Sequence, residues 1–160
     1  MEKKFPFKSI LVVCSVNTAR SRMAEGFLKD YFKKHEWDVK VKSGGISSHA
    51  RDGMLISMDA RLVMEEIGIT LSKSALSIDL KKHPEVIEDA DLILTLTSKH
   101  KAEFLNFFNI NSKKILTIKE FAGEKGDIAD PSMKEIEGFR KARNDIIDSL
   151  IKGLKKYSLK

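Results

Sequence analysis

The chain has 160 residues, 42% of them hydrophobic, and its 29 basic and 23 acidic side chains give a net charge of +6. These values predict a single domain over residues 1–160 and exclude a disordered or collagen-like chain. The one cysteine, Cys14, excludes an intramolecular disulfide and a cysteine-rich zinc site. No apolar run approaches the roughly 20 residues of a membrane span. A lone thiol with no signal-peptide pattern before it predicts a cytoplasmic protein.

Apolar strands and amphipathic helices alternate along the chain. Strands are predicted at residues 9–14, 37–43, 91–96 and 114–118, and helices at residues 21–34, 54–67, 98–108 and 134–154. Pro84 is predicted to open a further short helix, Ser98 is a candidate N-cap, and residues 119–132 are predicted to form a long loop. The alternation predicts an α/β fold, a doubly wound, flavodoxin-like sheet of four parallel strands with helices on both faces.

The candidate chemistry lies in the segment VVCSVNTARSRMAEG, residues 12–26. Cys14 ends a predicted strand, and Arg20 and Ser21 open the next helix. A tight loop at this place can turn its backbone N–H groups inward, and the helix N-terminus adds free donors, so the segment predicts a phosphate site. The Arg20 guanidinium would hold two phosphate oxygens, and Cys14 would be the nucleophile on the floor of the loop.

Six residues are expected to bind the phosphate through the backbone or to support the loop: Ser15, Val16, Asn17, Thr18, Ala19 and Ser21. The Ser21 hydroxyl can donate to the thiolate of Cys14, which the donors around it would stabilise. Asn17 tolerates a left-handed backbone and can brace the loop with its side chain.

The segment resembles the active-site loop of the low-molecular-weight protein tyrosine phosphatases, whose usual form is Cys-x-x-Asn-x-x-Arg-Ser-x-Met-Ala-Glu. The matching residues are Cys14, Asn17, Arg20, Ser21, Met23, Ala24 and Glu25. The similarity extends over nearly the whole chain and includes VKSGG at residues 41–45 and the late Asp130-Pro131.

The resemblance implies a phosphatase that acts on phosphotyrosine-type monoesters through a phosphocysteine intermediate. Cys14 would attack phosphorus, Arg20 would bind the phosphoryl oxygens, and Asp130 would protonate the leaving group and later activate water. Asp127 is the alternative acid. Neither a metal nor a cofactor is expected, and the four histidines show no ligand-like spacing and are expected mostly at the surface.

Several residues depart from the family pattern and bear on the substrate. Val16 replaces a usual glycine, and Ala19 stands where many members carry a second cysteine. Arg22 replaces a usual proline and is expected to add a cation near the pocket mouth, where it would favour acidic substrates. An aromatic residue usually follows the Asp-Pro, but Ser132 and Met133 follow it here, and Phe121 is an alternative aromatic contact.

Thr18 is the second candidate specificity residue beside Arg22. Tyrosine-directed relatives tend to carry a larger aliphatic residue at this place, and bacterial members acting on phosphoarginine resemble this sequence in having threonine. The resemblance therefore leaves a protein arginine phosphatase as an alternative, because a hydroxyl can meet a guanidinium.

Other functions remain as alternatives at this point. An arsenate reductase would have to use an external thiol, since the chain has no second cysteine. A phosphate-binding module would bind phosphopeptides without hydrolysis. A nucleic-acid binder is not expected, because the basic residues form no aromatic-basic or recognition-helix pattern. The predicted partner is a phosphorylated protein, without nucleic acid or membrane, and a monomer is expected rather than an oligomer.

Overall fold

The computed structural model describes residues 3–110 and 114–158. Its helices and strands, in chain order, are β1 (Lys3–Lys4), β2 (Ser9–Cys14), α1 (Arg20–Lys34), β3 (Lys40–Gly45), α2 (Met58–Glu65), a 3-10 turn (Leu80–Lys82), α3 (Pro84–Glu88), β4 (Leu92–Thr95), α4 (Ser98–Phe107), β5 (Lys114–Thr117), α5 (Ile118–Phe121), α6 (Ile136–Leu154) and β6 (Tyr157–Ser158). None of the helices in these described ranges is long and apolar enough to cross a membrane.

Four parallel strands form the central sheet in the order β3-β2-β4-β5, as the alternating pattern predicts. The apolar run at residues 9–14 takes the second position, where neighbours on both sides satisfy its backbone hydrogen bonds. In register, Cys14 lies beside Gly45 of β3, and Val13 lies beside Thr95 of β4. The carboxyl ends of these strands therefore meet at one edge, where ligands of such sheets bind. The sequence pattern did not predict the short β1–β6 pair.

Both faces of the sheet are covered, which confirms the doubly wound arrangement. Ile10 and Val12 pack with α1 and α6 on one face. Leu11 and Val13 point to the other face, where they pack with Phe104 of α4 and its neighbours. Each fully buried Leu or Ile side chain contributes about 1.5–3 kcal/mol, so this strand is firmly anchored under the segment that follows it.

Two predicted boundaries were wrong because tertiary contacts decide them. The strand predicted at residues 37–43 begins at Lys40 and includes both glycines, while Trp37 stacks on Phe32 in an aromatic cluster. The helix predicted at residues 54–67 begins only at Met58, because the Ser57 hydroxyl accepts a hydrogen bond from the Ala60 N–H and caps it.

The later boundaries show the same effect of capping. Thr97, not Ser98, caps α4, because its hydroxyl accepts a hydrogen bond from the His100 N–H. The predicted loop at residues 119–132 starts as the short helix α5, which Thr117 and Glu120 close with a reciprocal capping box. Pro84 opens a short helix as predicted.

Candidate active site

The loop from Cys14 to Arg20 joins the carboxyl end of β2 to the N-terminus of α1. Cys14 is the last residue of the strand, and Arg20 is the first residue of the helix. Ala19 occupies the N-cap position without a capping side chain, and the first turn holds no acidic residue. The first N–H groups of α1 and its positive dipole end are therefore available to an anion in the loop.

Glycine at position 45 lets the sheet approach this loop. A Cβ on Gly45 would lie 2.8 Å from the carbonyl oxygen of Ser15 and 3.0 Å from the Cα atom of Val16. The Ser15 carbonyl also accepts hydrogen bonds from the N–H groups of Ile46 and Ser47, both at 3.1 Å. The strand after Gly45 thus holds the first half of the loop through its backbone.

The Cys14 thiol is buried and has two hydrogen-bond partners. Its Sγ accepts from the Asn17 N–H at 3.2 Å and lies 2.8 Å from the Ser21 Oγ. The Ser21 oxygen accepts from the Asn17 side-chain amide at 2.9 Å, which leaves the Ser21 hydrogen free to point at the sulfur. These two contacts hold the sulfur, the proposed nucleophilic atom, at the base of the loop.

Asn17 organises the loop from within. Its backbone has a φ of 65°, and no other residue of the loop has a positive φ, so Val16 fits without the freedom of a glycine. The side-chain amide donates to the hydroxyls of Ser21 and Ser43, and its oxygen accepts from the Ile78 N–H at 3.0 Å. Ser43 belongs to this network but is not among the site residues predicted from the sequence, although it lies in the VKSGG segment that resembles the family pattern.

The remaining loop residues are partly exposed. Ser15, Val16, Thr18 and Ala19 are half-buried. The Thr18 carbonyl accepts a hydrogen bond from the Ser57 N–H at 2.9 Å, so the residue that caps α2 also holds this part of the loop.

The expectation that Arg22 lies near the pocket mouth is wrong. Its side chain is buried, and its guanidinium donates to Glu25 at 3.0 Å and to the carbonyl oxygens of Asn17 and Leu76. The N–H groups of a buried guanidinium must be paired, and the Glu25 carboxylate and the two carbonyl oxygens provide the acceptors.

Arg20 connects the loop to a distant part of the chain. Its Nη1 donates to the Ile128 carbonyl oxygen at 2.8 Å, and its Nη2 lies 4.0 Å from the Asp130 Oδ2. The guanidinium is nearly buried, whereas the Asp130 side chain is 61% exposed. The structure thus brings Arg20 and Asp130 together at the same edge of the sheet as Cys14.

The Asp130 carboxylate is held by its neighbour Ser132. The Oδ1 atom accepts from the Ser132 N–H at 2.9 Å and from the Ser132 hydroxyl at 2.7 Å. Partial burial raises the pKa of Asp130, but these two hydrogen bonds and the Arg20 charge outweigh it and hold the pKa below its usual value.

The alternative acid, Asp127, has a different position. Its carboxylate accepts from the Ser98 N–H at 2.8 Å, at the start of α4. Phe121, the alternative aromatic contact, is buried in the core, where a Cβ at Gly153 would touch its ring. Neither residue is placed like Asp130, whose carboxylate lies beside Arg20.

His100 is the one buried histidine of the four, and the other three are exposed or half-buried, which agrees with the expectation that the histidines lie mostly at the surface. It is 4% exposed, and among the described residues its Nδ1 has no hydrogen-bond partner. Burial, with the nearby Arg20 charge, lowers the pKa of His100 to about 4, while Asp127 and Asp130 act in the other direction. The sequence offers one signal of this burial, because the apolar Phe104 lies four residues later, on the same face of the helix.

Within residues 3–110 and 114–158, no group of three or more His, Cys, Asp or Glu side chains is arranged to hold a metal ion. What the site offers instead is a thiol, the first N–H groups of α1, one guanidinium and one carboxylate. These groups suit the binding of a tetrahedral anion and transfer of its central atom to sulfur.

Known proteins resemble the chain along nearly its whole length. The family model described as low molecular weight phosphotyrosine protein phosphatase matches residues 9–159. A protein-arginine-phosphatase of Geobacillus stearothermophilus is 39% identical over 138 residues, which cover 86% of this chain and 87% of that protein. A low molecular weight protein-tyrosine-phosphatase of Staphylococcus haemolyticus is 31% identical over 141 residues, which cover 86% and 91%.

The fold is shared as well. The crystal structure of a low molecular weight protein tyrosine phosphatase from T. tengcongensis matches with a TM-score of 0.85 and 32% identity, covering 93% of this chain and 99% of that one. The family match, the sequence identities and the common fold together show that this chain belongs to the low molecular weight phosphotyrosine protein phosphatases, a family of hydrolases.

Proposed function

We propose that this chain removes phosphate from phosphorylated proteins through a phosphocysteine on Cys14. The observation that carries the proposal is the thiol itself, which receives the Asn17 N–H and faces the Ser21 hydroxyl beneath a loop closed by Arg20. A phosphoryl group in this loop would have the sulfur below it, backbone donors around it and the Asp130 carboxylate at the side.

In the first step, the Cys14 sulfur attacks phosphorus in line with the leaving group. The S–P bond forms as the bond from phosphorus to the substrate oxygen or nitrogen breaks. Asp130 gives its proton to the leaving atom, which otherwise departs slowly as an anion. The loop N–H groups and Arg20 hold the three other oxygens, where negative charge gathers in the transition state.

In the second step, water hydrolyses the phosphocysteine. The Asp130 carboxylate takes a proton from the attacking water, and the Cys14 thiolate leaves as the S–P bond breaks, so that inorganic phosphate is released. In the free site the pKa of Asp130 lies below its usual value, so the group is a carboxylate, the form that can accept a proton. For the acid role, a bound phosphate dianion beside Arg20 offsets the guanidinium charge and raises the pKa of Asp130 again.

The substitution Cys14→Ser tests the proposal with p-nitrophenyl phosphate. Serine keeps the size of the side chain and the contact with Ser21, but its hydroxyl is a far weaker nucleophile than a thiolate. We expect phosphate release to fall to background while the unfolding temperature stays near that of the parent chain. Undiminished turnover in the variant would refute the mechanism, and phosphopeptide binding without turnover in the parent chain would favour a binding module.

Phosphoarginine is a second candidate substrate beside phosphotyrosine. Thr18 offers a hydroxyl at the loop, and the Geobacillus relative is named a protein-arginine-phosphatase. The residues after Asp130-Pro131, Ser132 and Met133, supply no aromatic ring to flank a tyrosine, and Phe121 lies in the core. These observations favour a polar, cationic leaving group over a phenol.

A paired kinetic measurement separates the two substrates. We expect a higher kcat/KM for a phosphoarginine peptide than for the phosphotyrosine peptide of otherwise identical sequence. Thr18→Ile should reduce that ratio at least about tenfold, because the guanidinium of the phosphoarginine substrate would lose its hydrogen-bond partner, whereas a phenol makes no such bond. Thr18→Ser is the matched control, since it keeps the hydroxyl and should keep the ratio. An unchanged ratio in Thr18→Ile would show that Thr18 does not select the substrate.

Arsenate reduction would need an external thiol and is tested in the same preparation by arsenite release with added glutathione.

We also propose a cytoplasmic location and a monomeric state. They rest on the single thiol and on the absence of any sequence feature that demands a partner copy.

A further inference from the structure

We propose that Arg22 is a positioning residue that holds the phosphate loop, residues 14–20, through hydrogen bonds outside the anion site. It stands in the place where the family usually carries proline. The inference rests on the proposed function and names a residue that supports the same site. Arg22 lies in the first turn of α1, and its buried side chain contacts Asn17, Glu25 and Leu76.

The Arg22 guanidinium is shared among three acceptors. Its Nε donates to the Asn17 carbonyl oxygen at 3.4 Å, its Nη1 donates to the Glu25 Oε1 at 3.0 Å, and its Nη2 donates to the Leu76 carbonyl oxygen. The planar fork therefore joins the phosphate loop to α1 and to the segment around Leu76. A proline at this position has no side-chain donor and makes none of these bonds.

A chain of hydrogen bonds leads from this guanidinium to the nucleophile. The Glu25 Oε1 accepts from the Ser43 hydroxyl at 2.6 Å, and the Ser43 oxygen accepts from the Asn17 amide at 2.9 Å. That amide also donates to Ser21, whose hydroxyl faces the Cys14 sulfur. Asn17 is thus held at two points, by Arg22 at its carbonyl oxygen and by the Glu25–Ser43 pair at its side chain.

The contact with the Asn17 carbonyl bears on the reaction because this carbonyl shares a peptide unit with the Thr18 N–H. Fixing the oxygen outward fixes the N–H inward, toward a bound phosphoryl group. A cationic donor on the oxygen also polarises the peptide and strengthens the N–H as a donor. Asparagine tolerates the left-handed backbone that Asn17 adopts, with a φ of 65°, and the Arg22 contact holds the carbonyl oxygen of this turn in place.

The back of this network is open to solvent. Arg22 and Glu25 line a groove of about 360 Å³ between α1 and the segment that contains Ile69 and Leu71. A small cation can therefore reach the space that the guanidinium would leave. This access makes chemical rescue a usable test.

The substitutions Arg22→Ala and Arg22→Lys test the proposal. Because loop donors must meet the transition state within a fraction of an ångström, we expect Arg22→Ala to lower kcat about tenfold to a hundredfold, with a smaller change in KM. Millimolar methylguanidinium should restore part of this kcat, and methylammonium at the same concentration should not. Arg22→Lys keeps a charge beside Glu25 but lacks the fork, so it should stay folded with a reduced kcat.

Lys29→Ala is the matched control. Lys29 pairs with the other oxygen of the same carboxylate, the Glu25 Oε2, at 2.9 Å, but its side chain is exposed. Its removal should leave kcat and the methylguanidinium response as in the parent chain.

Three results would overturn the inference. They are a parent-like kcat in Arg22→Ala, a loss in folded Arg22→Ala that methylguanidinium does not reverse, and a parent-like kcat in folded Arg22→Lys. If the alanine variant does not fold, the lysine variant decides. A parent chain without phosphatase turnover would overturn the proposed function instead. The affinity for inorganic phosphate, expected to weaken in both Arg22 variants, would still report on the loop.

Discussion

The phosphate loop and the acid-bearing segment face each other across the site and are built in opposite ways. In the loop, Cys14, Asn17 and Ser21 are buried and bonded to one another. In the segment at residues 127–133, the Asp130 side chain is 61% exposed and Met133 is fully exposed. The Asp130 carboxylate accepts only from its neighbour Ser132 among the hydrogen bonds described, although Arg20 stands 4.0 Å away.

The contrast follows from what each part does in the proposed reaction. Donors that stabilise a transition state must be fixed before the substrate arrives, because moving them during the reaction would cost free energy. The acid must reach the leaving atom and then an incoming water, so it gains from exposure. Each variant described below weakens either the phosphate loop or the acid-bearing segment at residues 127–133.

Asp130→Asn should have the largest effect. The amide keeps the size of the side chain but supplies no acidic proton, so kcat for phenyl phosphate should fall about a thousandfold. For p-nitrophenyl phosphate the fall should be smaller, because its leaving group departs without protonation. Steady-state rates on the two esters measure the difference.

Asp127→Asn is the control for that experiment, because the Asp127 carboxylate is engaged at the start of α4. It should leave the ratio between the two esters unchanged. The reverse pattern, with the large loss in Asp127→Asn, would identify Asp127 as the acid.

His100→Gln probes the packing beside the acid-bearing segment. The pKa of His100 is depressed to about 4 in the folded chain, so its contribution to stability is complete above the unfolded value of about 6.5 and is lost as the pH falls toward 4. The loss amounts to about 3 kcal/mol in the free energy of unfolding. Urea unfolding from pH 7 to pH 4 should show a smaller decline in His100→Gln than in the parent chain.

His49→Gln, at an exposed histidine, is the matched control and should follow the parent profile. Equal declines in the parent chain and in His100→Gln would show that His100 is not buried in the neutral form.

Gly45→Ala tests the phosphate loop by placing a methyl group against its backbone. The new Cβ would lie 2.8 Å from the Ser15 carbonyl oxygen, and the loop must shift to relieve the contact. We expect kcat/KM for p-nitrophenyl phosphate to fall about tenfold or more. In Gly44→Ala the new Cβ meets the Leu80 side chain instead, so stability should fall without a comparable loss of kcat in the folded protein. If the two variants lost kcat/KM equally, the contact with Ser15 would not be the cause of the loss.

Ser132→Ala should have the smallest effect. Removing one of the two hydrogen bonds to the Asp130 Oδ1 raises the pKa of Asp130, because the charged carboxylate loses a donor. The basic limb of the kcat/KM profile should therefore move to higher pH. Ser98→Ala, whose hydroxyl lies beside Asp127, should leave the limb in place. A shift to lower pH would contradict the role of Ser132.

Local patterns in the amino-acid sequence were enough to predict the strands of the sheet and the phosphate loop. The continuous apolar run at residues 9–14 predicted a strand buried on both faces, and the alternation of elements predicted the parallel sheet. The spacing from Cys14 to Arg20 and Ser21 predicted the phosphate loop. Such patterns can be read without coordinates because strand and helix periods place neighbouring side chains on known faces.

The partners of the polar side chains, in contrast, depend on how distant segments pack together. Arg20 finds the Ile128 carbonyl more than a hundred residues away, and His100 and Phe121 turn inward rather than toward solvent or substrate. Arg22, expected at the pocket mouth, turns behind the loop to Glu25. Local periodicity reports which face a residue occupies, whereas the direction of a long polar side chain depends on acceptors that other segments bring to it.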